Sequence, residues 1–178
     1  TWVCQKTIYG WRDDYIFYEG ETYRLPYAQP VNSGEFIGYG VTLEEFERVA
    51  ADKNSVYYSR QSEYNGWTST YYGTDCAAFV AMCWGVDRQD CTTLWYFFTN
   101  LGTVTLDRVY NTLELGDALD STSVGHVVLV SDLIYDEQGN LTTIEITEQT
   151  PPMLKRTYFT PEELVEKYGG AFSIFRHY

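Results

Sequence analysis

Tyr72-Gly73-Thr74-Asp75-Cys76-Ala77-Ala78-Phe79-Val80 is the stretch that decides how the chain is read. Gly-Thr-Asp ahead of a small, apolar run predicts a helix that starts at Cys76, with Asp75 as its N-cap. The positive end of the helix dipole and the unpaired N–H groups of the first turn favour a thiolate at that place. The thiolate, not the thiol, is the nucleophile, so Cys76 is a candidate for covalent chemistry. The helix is expected to run to about Trp84 and to close on Gly85 at the C′ position. Cys83, two helical turns after Cys76, is expected to face the core from the same helix.

Fifty residues after the cysteine, Gly125-His126-Val127-Val128-Leu129-Val130 predicts a strand that begins with a histidine. Strands are expected at about 126–135 and 141–148, joined by the hairpin turn Asp136-Glu137-Gln138-Gly139-Asn140. If Tyr135 lies opposite Leu141, then Glu148 faces Val128. Glu148 is then on the same sheet face as His126, one diagonal step away and within reach of a long side chain. A one-residue slip would put the two on opposite faces. Ile144 and Ile146 share the Glu148 face, which is expected to pack inward, while Thr143, Glu145 and Thr147 share the other. A histidine base needs a partner that fixes its tautomer and stabilises its charged form. Glu148 is the candidate, with Gln149 as the alternative. The other histidine, His177, sits beside the C-terminus with no such pattern around it.

A cysteine on a helix followed by a histidine on a strand is the outline of a papain-like hydrolase. Asp75-Cys76-Ala77-Ala78-Phe79-Val80 resembles the D-C-S-G/A-F-V motif of NlpC-type cell-wall peptidases. The segment from His126 to Gln149 resembles the related CHAP amidohydrolase/peptidase domains, with an H-V strand, a polar turn and a second strand ending in Glu. The resemblance covers about residues 20–150. Two departures stand out: Ala77 occupies a place where Ser is common, and the third residue is Glu rather than the usual His of NlpC-type enzymes. The resemblance implies an α+β, papain-like NlpC/CHAP fold in which the Cys76 helix packs on an antiparallel sheet bearing His126 and Glu148. It implies Cys76, His126 and Glu148 as catalytic residues. Tyr27, in Leu25-Pro26-Tyr27, is similar to a tyrosine of NlpC-type enzymes that aids the oxyanion site, and Asp75 and Gln149 would stand beside the substrate. It also implies a peptidoglycan stem-peptide substrate, endopeptidase ahead of amidase, and a secreted or cell-envelope location.

The 178 residues suit one domain, and 44% hydrophobic content with five Trp argues for a globular fold. The net charge is −13, from 12 basic and 25 acidic residues. The absence of any Lys/Arg cluster argues against nucleic-acid binding. The same charge repels anionic wall polymers, which leaves room for a protein partner in wall targeting or for a non-wall substrate. No apolar run is long enough to span a bilayer. No Cys/His cluster has zinc spacing, and Asp136–Asn140 lacks calcium-loop spacing, so neither metal nor organic cofactor is expected. With Cys76 reduced, Cys4, Cys83 and Cys91 read as inert buried thiols, a Cys83–Cys91 bridge being the alternative.

Residues 1–34 are aromatic-rich and broken by Pro26 and Pro30, which predicts short strands or an N-terminal arm. Thr42 and Glu45 predict a capped helix start, as do Thr160 and Pro161. Residues 57–72 read as a loop, about 92–100 as a second short helix and Phe172–Phe175 as a last strand. Two further readings share these residues: a catalytically silent binding module on the same fold, and a Cys-His acyltransferase or amidase acting on another substrate.

Overall fold

The computed structural model describes residues 1–9, 15–28, 42–55 and 73–178. The loop expected at 57–72, and the parts of the N-terminal arm at 10–14 and 29–34, lie outside them. The chain is mixed α/β, with five helices among the described residues and a six-stranded antiparallel sheet. It divides into two compact units, Thr1–Phe79 with Gln149–Lys155, and Val80–Glu148 with Arg156–Tyr178.

In the first unit, β1 (Trp2–Val3) pairs with β4 (Thr22–Tyr23), and β2 (Ile8–Tyr9) pairs with β3 (Ile16–Phe17). Two-residue strands offer little pairing, and aromatic side chains supply what the ladders lack. The Trp2 ring lies 5.5 Å from Phe17, 5.7 Å from Tyr23 and 6.4 Å from Phe46. Phe17 and Tyr23 meet edge-on at 4.8 Å. Such contacts stabilise beyond the area they bury. Phe46 comes from α1 (Leu43–Ala50), whose start is set by the Thr42 hydroxyl accepting from the Glu45 amide, as the sequence predicts.

The remaining elements are α2 (Cys76–Trp84), α3 (Leu94–Phe97), β5 (Thr99–Thr103), α4 (Leu106–Asn111), β6 (Ala118–Ser121), β7 (His126–Tyr135), β8 (Leu141–Thr150), β9 (Met153–Phe159), α5 (Pro161–Tyr168) and β10 (Ser173–Arg176). The sheet order is β5-β10-β6-β7-β8-β9. The helix expected at about 92–100 is only the single turn of α3. The chain turns extended at Phe98, and Thr99–Thr103 pairs with β10 instead. Sheet pairing overrides local helix preference there. In α5, Thr160 is the N-cap with Pro161 in the first turn, as expected, and Glu163 completes a capping box.

The register of β7 and β8 positions the site. Tyr135 faces Leu141, as expected from the turn. Thr142 is then an extra residue on β8, so that Ile134 faces Thr143 and Asp132 faces Glu145. Ser131 is an extra residue on β7, which brings Val130 opposite Ile146 and Leu129 opposite Thr147. With the first surplus alone, Glu148 would face Leu129 and lie on the wrong side of the sheet from His126. The second surplus cancels it, and one further step carries Glu148 to Val128.

On the resulting face, Val128, Val130, Ile144 and Ile146 join Leu119 and Ile174 beneath Val109 and Leu113 of the α4 region and Leu164 and Tyr168 of α5. His126 and Glu148 end this stripe by the two-residue period of the strands. The opposite face is covered as well, for Glu145 and Thr147 are buried. The Thr147 hydroxyl donates to Ser131 Oγ at 2.7 Å, and Ser131 Oγ donates to Glu145 Oε1 at 2.7 Å. The surplus residue on β7 thus supplies hydrogen bonds that make buried polar groups tolerable.

Candidate active site

Cys76 opens α2 in the first unit. Asp75 caps it: its Oδ1 accepts from the Ala78 amide at 2.7 Å, and its carbonyl accepts the first helical bond, from Phe79, at 3.0 Å. The other end of the helix is a Schellman motif, with Gly85 N–H bonded to Met82 O and Val86 N–H to Ala81 O. Gly85 has φ +68°, a conformation that glycine adopts at no steric cost. Both helix ends therefore lie where the sequence puts them.

Cys76 to Ala81 are all buried, a helix start enclosed on every side. Cys83 is exposed, against the expectation of a core thiol. Burial along α2 changes with distance down its axis rather than with direction around it, so two residues on one face meet different surroundings. In the second unit Trp84 anchors the far end, donating to Gly116 O at 2.7 Å and packing on Phe98 and His177. His177 is thereby a stacking partner of two rings. No disulfide joins the four cysteines, all of which are among the described residues. Cys4 is buried, its thiol donating to Lys6 O, and burial pushes its pKa up.

The segment before Cys76 is held by backbone. Tyr27 bridges Thr74 in parallel register, Thr74 N–H bonds to Pro26 O at 3.1 Å, and Ala28 N–H bonds to Thr74 O at 3.0 Å. This approach requires Gly73. A Cβ there would stand 2.5 Å from Pro26 O and 2.8 Å from Ala28 Cβ, and its φ of +140° disfavours a side chain as well. Gln149 is fully buried in the same unit, its Nε2 donating to Leu25 O at 3.0 Å and Pro26 O at 2.5 Å. Tyr15 O–H donates to Tyr27 O, and Tyr27 N–H bonds to Pro152 O at 2.9 Å. Tyr27, Gln149 and the residues leading into Cys76 are thus parts of one hydrogen-bonded clasp.

In the second unit, His126 Nε2 and Glu148 Oε2 are 2.7 Å apart, with side chains 23% and 20% exposed. Partial burial strengthens such a contact while leaving an edge open to solvent. Gln149, the alternative partner for His126, is engaged with Leu25 and Pro26. A carboxylate only accepts, so in the neutral ring the hydrogen shared with Glu148 is carried by Nε2. Tyr168, buried beneath the sheet, has its pKa raised by burial and by the nearby Glu148 charge, so it stays a neutral phenol. Sequence reasoning missed Tyr168. The periodicity of α5 could have placed it inward with Leu164, but nothing in one sequence sets it near Glu148.

Among the described residues no group of three His, Cys, Asp or Glu side chains could hold a metal ion, and no helix is long and apolar enough to cross a membrane. No protein-family model, curated protein or solved structure matches the chain.

Proposed function

We propose that the chain is a papain-like cysteine hydrolase of the NlpC/CHAP kind that cleaves amide bonds of peptidoglycan stem peptides, outside the cytoplasm. The observation that carries the reading is the 2.7 Å hydrogen bond between His126 and Glu148, an imidazole oriented by a carboxylate from the neighbouring strand. A catalytic histidine is commonly oriented by a hydrogen-bonded third group of this kind, whatever the nucleophile. Cys76 supports it as a capped, buried first residue of a helix, where backbone dipoles favour a thiolate.

In this mechanism Cys76 Sγ, its proton taken by His126, adds to the scissile carbonyl carbon. The oxygen that gains charge is stabilised by the Cys76 backbone N–H and by the Tyr27 hydroxyl. Collapse breaks the C–N bond, the amine leaves with the proton from the imidazolium, and a thioester remains on Cys76. His126 then takes a proton from water, whose oxygen attacks the thioester carbon. The C–S bond breaks, the acid departs and the thiol is restored. No step calls for a metal or an organic cofactor.

The net charge of −13 supports a second reading, in which the same chemistry acts on an amide outside the anionic wall. One experiment separates the two. Wild-type protein and Cys76→Ala are incubated with peptidoglycan fragments, and products are identified by mass spectrometry. New peptides from the wild type alone are the expected result. No product, with Cys76 still rapidly alkylated, would move the substrate elsewhere. An unreactive Cys76 would leave a binding module.

A further inference from the structure

α3 is a single turn, yet it presents Trp95 at 41% exposure, Tyr96 at 84% and Phe97 at 66%. Large aromatic groups so exposed in one short segment need an explanation beyond packing. The turn itself is firmly seated. Leu94 is fully buried beneath it, and the Trp95 ring packs edge-on against Phe175 of β10 at 4.8 Å. Asp90 fastens the approach, its Oδ1 accepting from the Thr92 amide at 2.8 Å, the Thr93 amide at 2.9 Å and the Thr92 hydroxyl at 2.5 Å. The aromatic surface is therefore held in place rather than loosely displayed.

Trp95 and Tyr96 line a cleft of about 590 Å³ together with Thr92 and Thr122. The described lining carries two aromatic rings and two hydroxyls and no charged side chain. The Thr92 hydroxyl proton is committed to Asp90, so its oxygen is left as an acceptor for an incoming O–H. Thr122 belongs to the turn between Ser121 and His126, which face each other across β6 and β7. One wall of the cleft is thus part of the turn that leads into His126.

We propose that this cleft binds a pyranose unit of a neutral glycan. The apolar C–H face of the sugar lies on Trp95, with Tyr96 against its edge, and its hydroxyls pair with Thr92 and Thr122. An aromatic body with a few placed polar groups is the usual make-up of a small-ligand site. The uncharged lining, on a chain of net charge −13, selects a neutral ligand over an anionic one. The inference deepens the proposed function, on whose reading it rests for the natural ligand: the sugar would belong to the glycan strand carrying the scissile peptide.

The test titrates the protein with a neutral N-acetylated amino-sugar trisaccharide, with an uncharged tripeptide as control, following amide chemical shifts and Trp emission. The expected result is saturable binding of the trisaccharide, with shifts at Thr92–Tyr96 and Thr122. Trp95→Ala should weaken it about tenfold or more, a loss of about 1.4 kcal/mol. Tyr96→Ala, at a largely exposed position, checks the site without risk to the fold. No saturable binding, preference for the tripeptide, or full binding by both variants would overturn the proposal. Peptide-bond cleavage without sugar binding would remove this inference alone. Sugar binding without cleavage would remove the hydrolase reading alone.

Discussion

Glu148 reaches His126 along a diagonal of the sheet. The residue paired with His126 in the ladder is Ser121, on the other neighbouring strand, and the β7–β8 register carries Glu148 to Val128. The 2.7 Å contact therefore uses the full length of a glutamate side chain. On the proposed mechanism, Glu148→Gln should lower kcat by about 10²–10⁴-fold with little change in melting temperature. Glu148→Asp keeps the charge but loses a methylene of reach, and should be impaired nearly as much. Steady-state kinetics with a defined peptide checks both. An aspartate variant at wild-type rate would exclude the geometric argument.

Thiol chemistry offers an independent reading of Cys76. Unperturbed thiols have a pKa of about 8.5, so few are ionised at about pH 6. Cys4 is displaced further upward by its burial. Iodoacetamide at about pH 6, followed by peptide mapping, should label Cys76 first and Cys4 last. Cys83 is exposed overall, but partial burial of its thiol raises its pKa, so it should become labelled only as pH rises into or above the ordinary thiol range. Labelling of Cys83 ahead of Cys76 at low pH would argue against an activated nucleophile.

Arg176 and Asp117 form a two-pronged ion pair, with bonds of 2.7 and 2.8 Å, and Arg176 also donates to Thr112 O at 2.6 Å. Asp117 is 1% exposed. Its carboxylate raises the pKa of the guanidinium, which stays charged throughout. Asp117→Asn removes the buried partner of that cation and leaves the solvent-side Glu114 to balance it, and should cost about 3 kcal/mol in urea melts. Glu114→Gln removes the partner on the solvent side, 66% exposed, and should cost less than about 1 kcal/mol.

Asp90 ties the turn before α3 to acid conditions. Hydrogen bonds from Thr92 and Thr93 lower its pKa below the ordinary value of about 3.9. A depressed carboxylate stabilises the fold above the unfolded-state pKa and loses that effect as pH falls through the folded value. Asp90→Asn should therefore melt below wild type at neutral pH, and the two curves should converge toward about pH 3. Hydrogen exchange at the Thr92 and Thr93 amides should accelerate over the same window. A gap that persists unchanged into acid would show that the charge is not responsible.

What the sequence made legible follows from how local each signal is. Thr42, Asp75, Thr160 and Gly85 act on backbone groups within a few residues, and each sits where it was expected. The Asp136–Asn140 turn is equally local, with Asp136 accepting from the Gln138 and Asn140 amides, and it anchors the pairing at Tyr135. The surplus residues Ser131 and Thr142 left no trace, since neither differs in type from ordinary strand residues. β5 was missed because its partner β10 is distant in the chain, and β9 was missed although its sheet neighbour β8 directly precedes it, because Pro151 and Pro152 break the apolar pattern between them. The exposure of Cys83 was misjudged for a related reason: periodicity reports direction around a helix and is silent about depth along it. Of the site residues, pairing in the sheet made His126 and Glu148 readable together, whereas the clasp around Tyr27 and Gln149 depends on contacts spanning more than a hundred residues.

Gly73 shows how much can hang on a missing atom. The carbonyl that its Cβ would strike, Pro26 O, is also the acceptor for the Thr74 amide and for the Gln149 side chain. Adding one methyl group at this point presses on both attachments at once. Gly73→Ala should therefore act less like a local defect than like a wedge, prising the Pro26–Ala28 segment from the residues that lead into Cys76. Reactivity of that thiol should fall by more than the loss of stability accounts for. The aromatic cluster of Trp2, Phe17 and Tyr23 should be less affected in the same variant, because it meets this junction at one remove, through Tyr15, which packs on Phe17 and donates to Tyr27 O. The entrance to the helix is, in that sense, machined to a tolerance of one carbon.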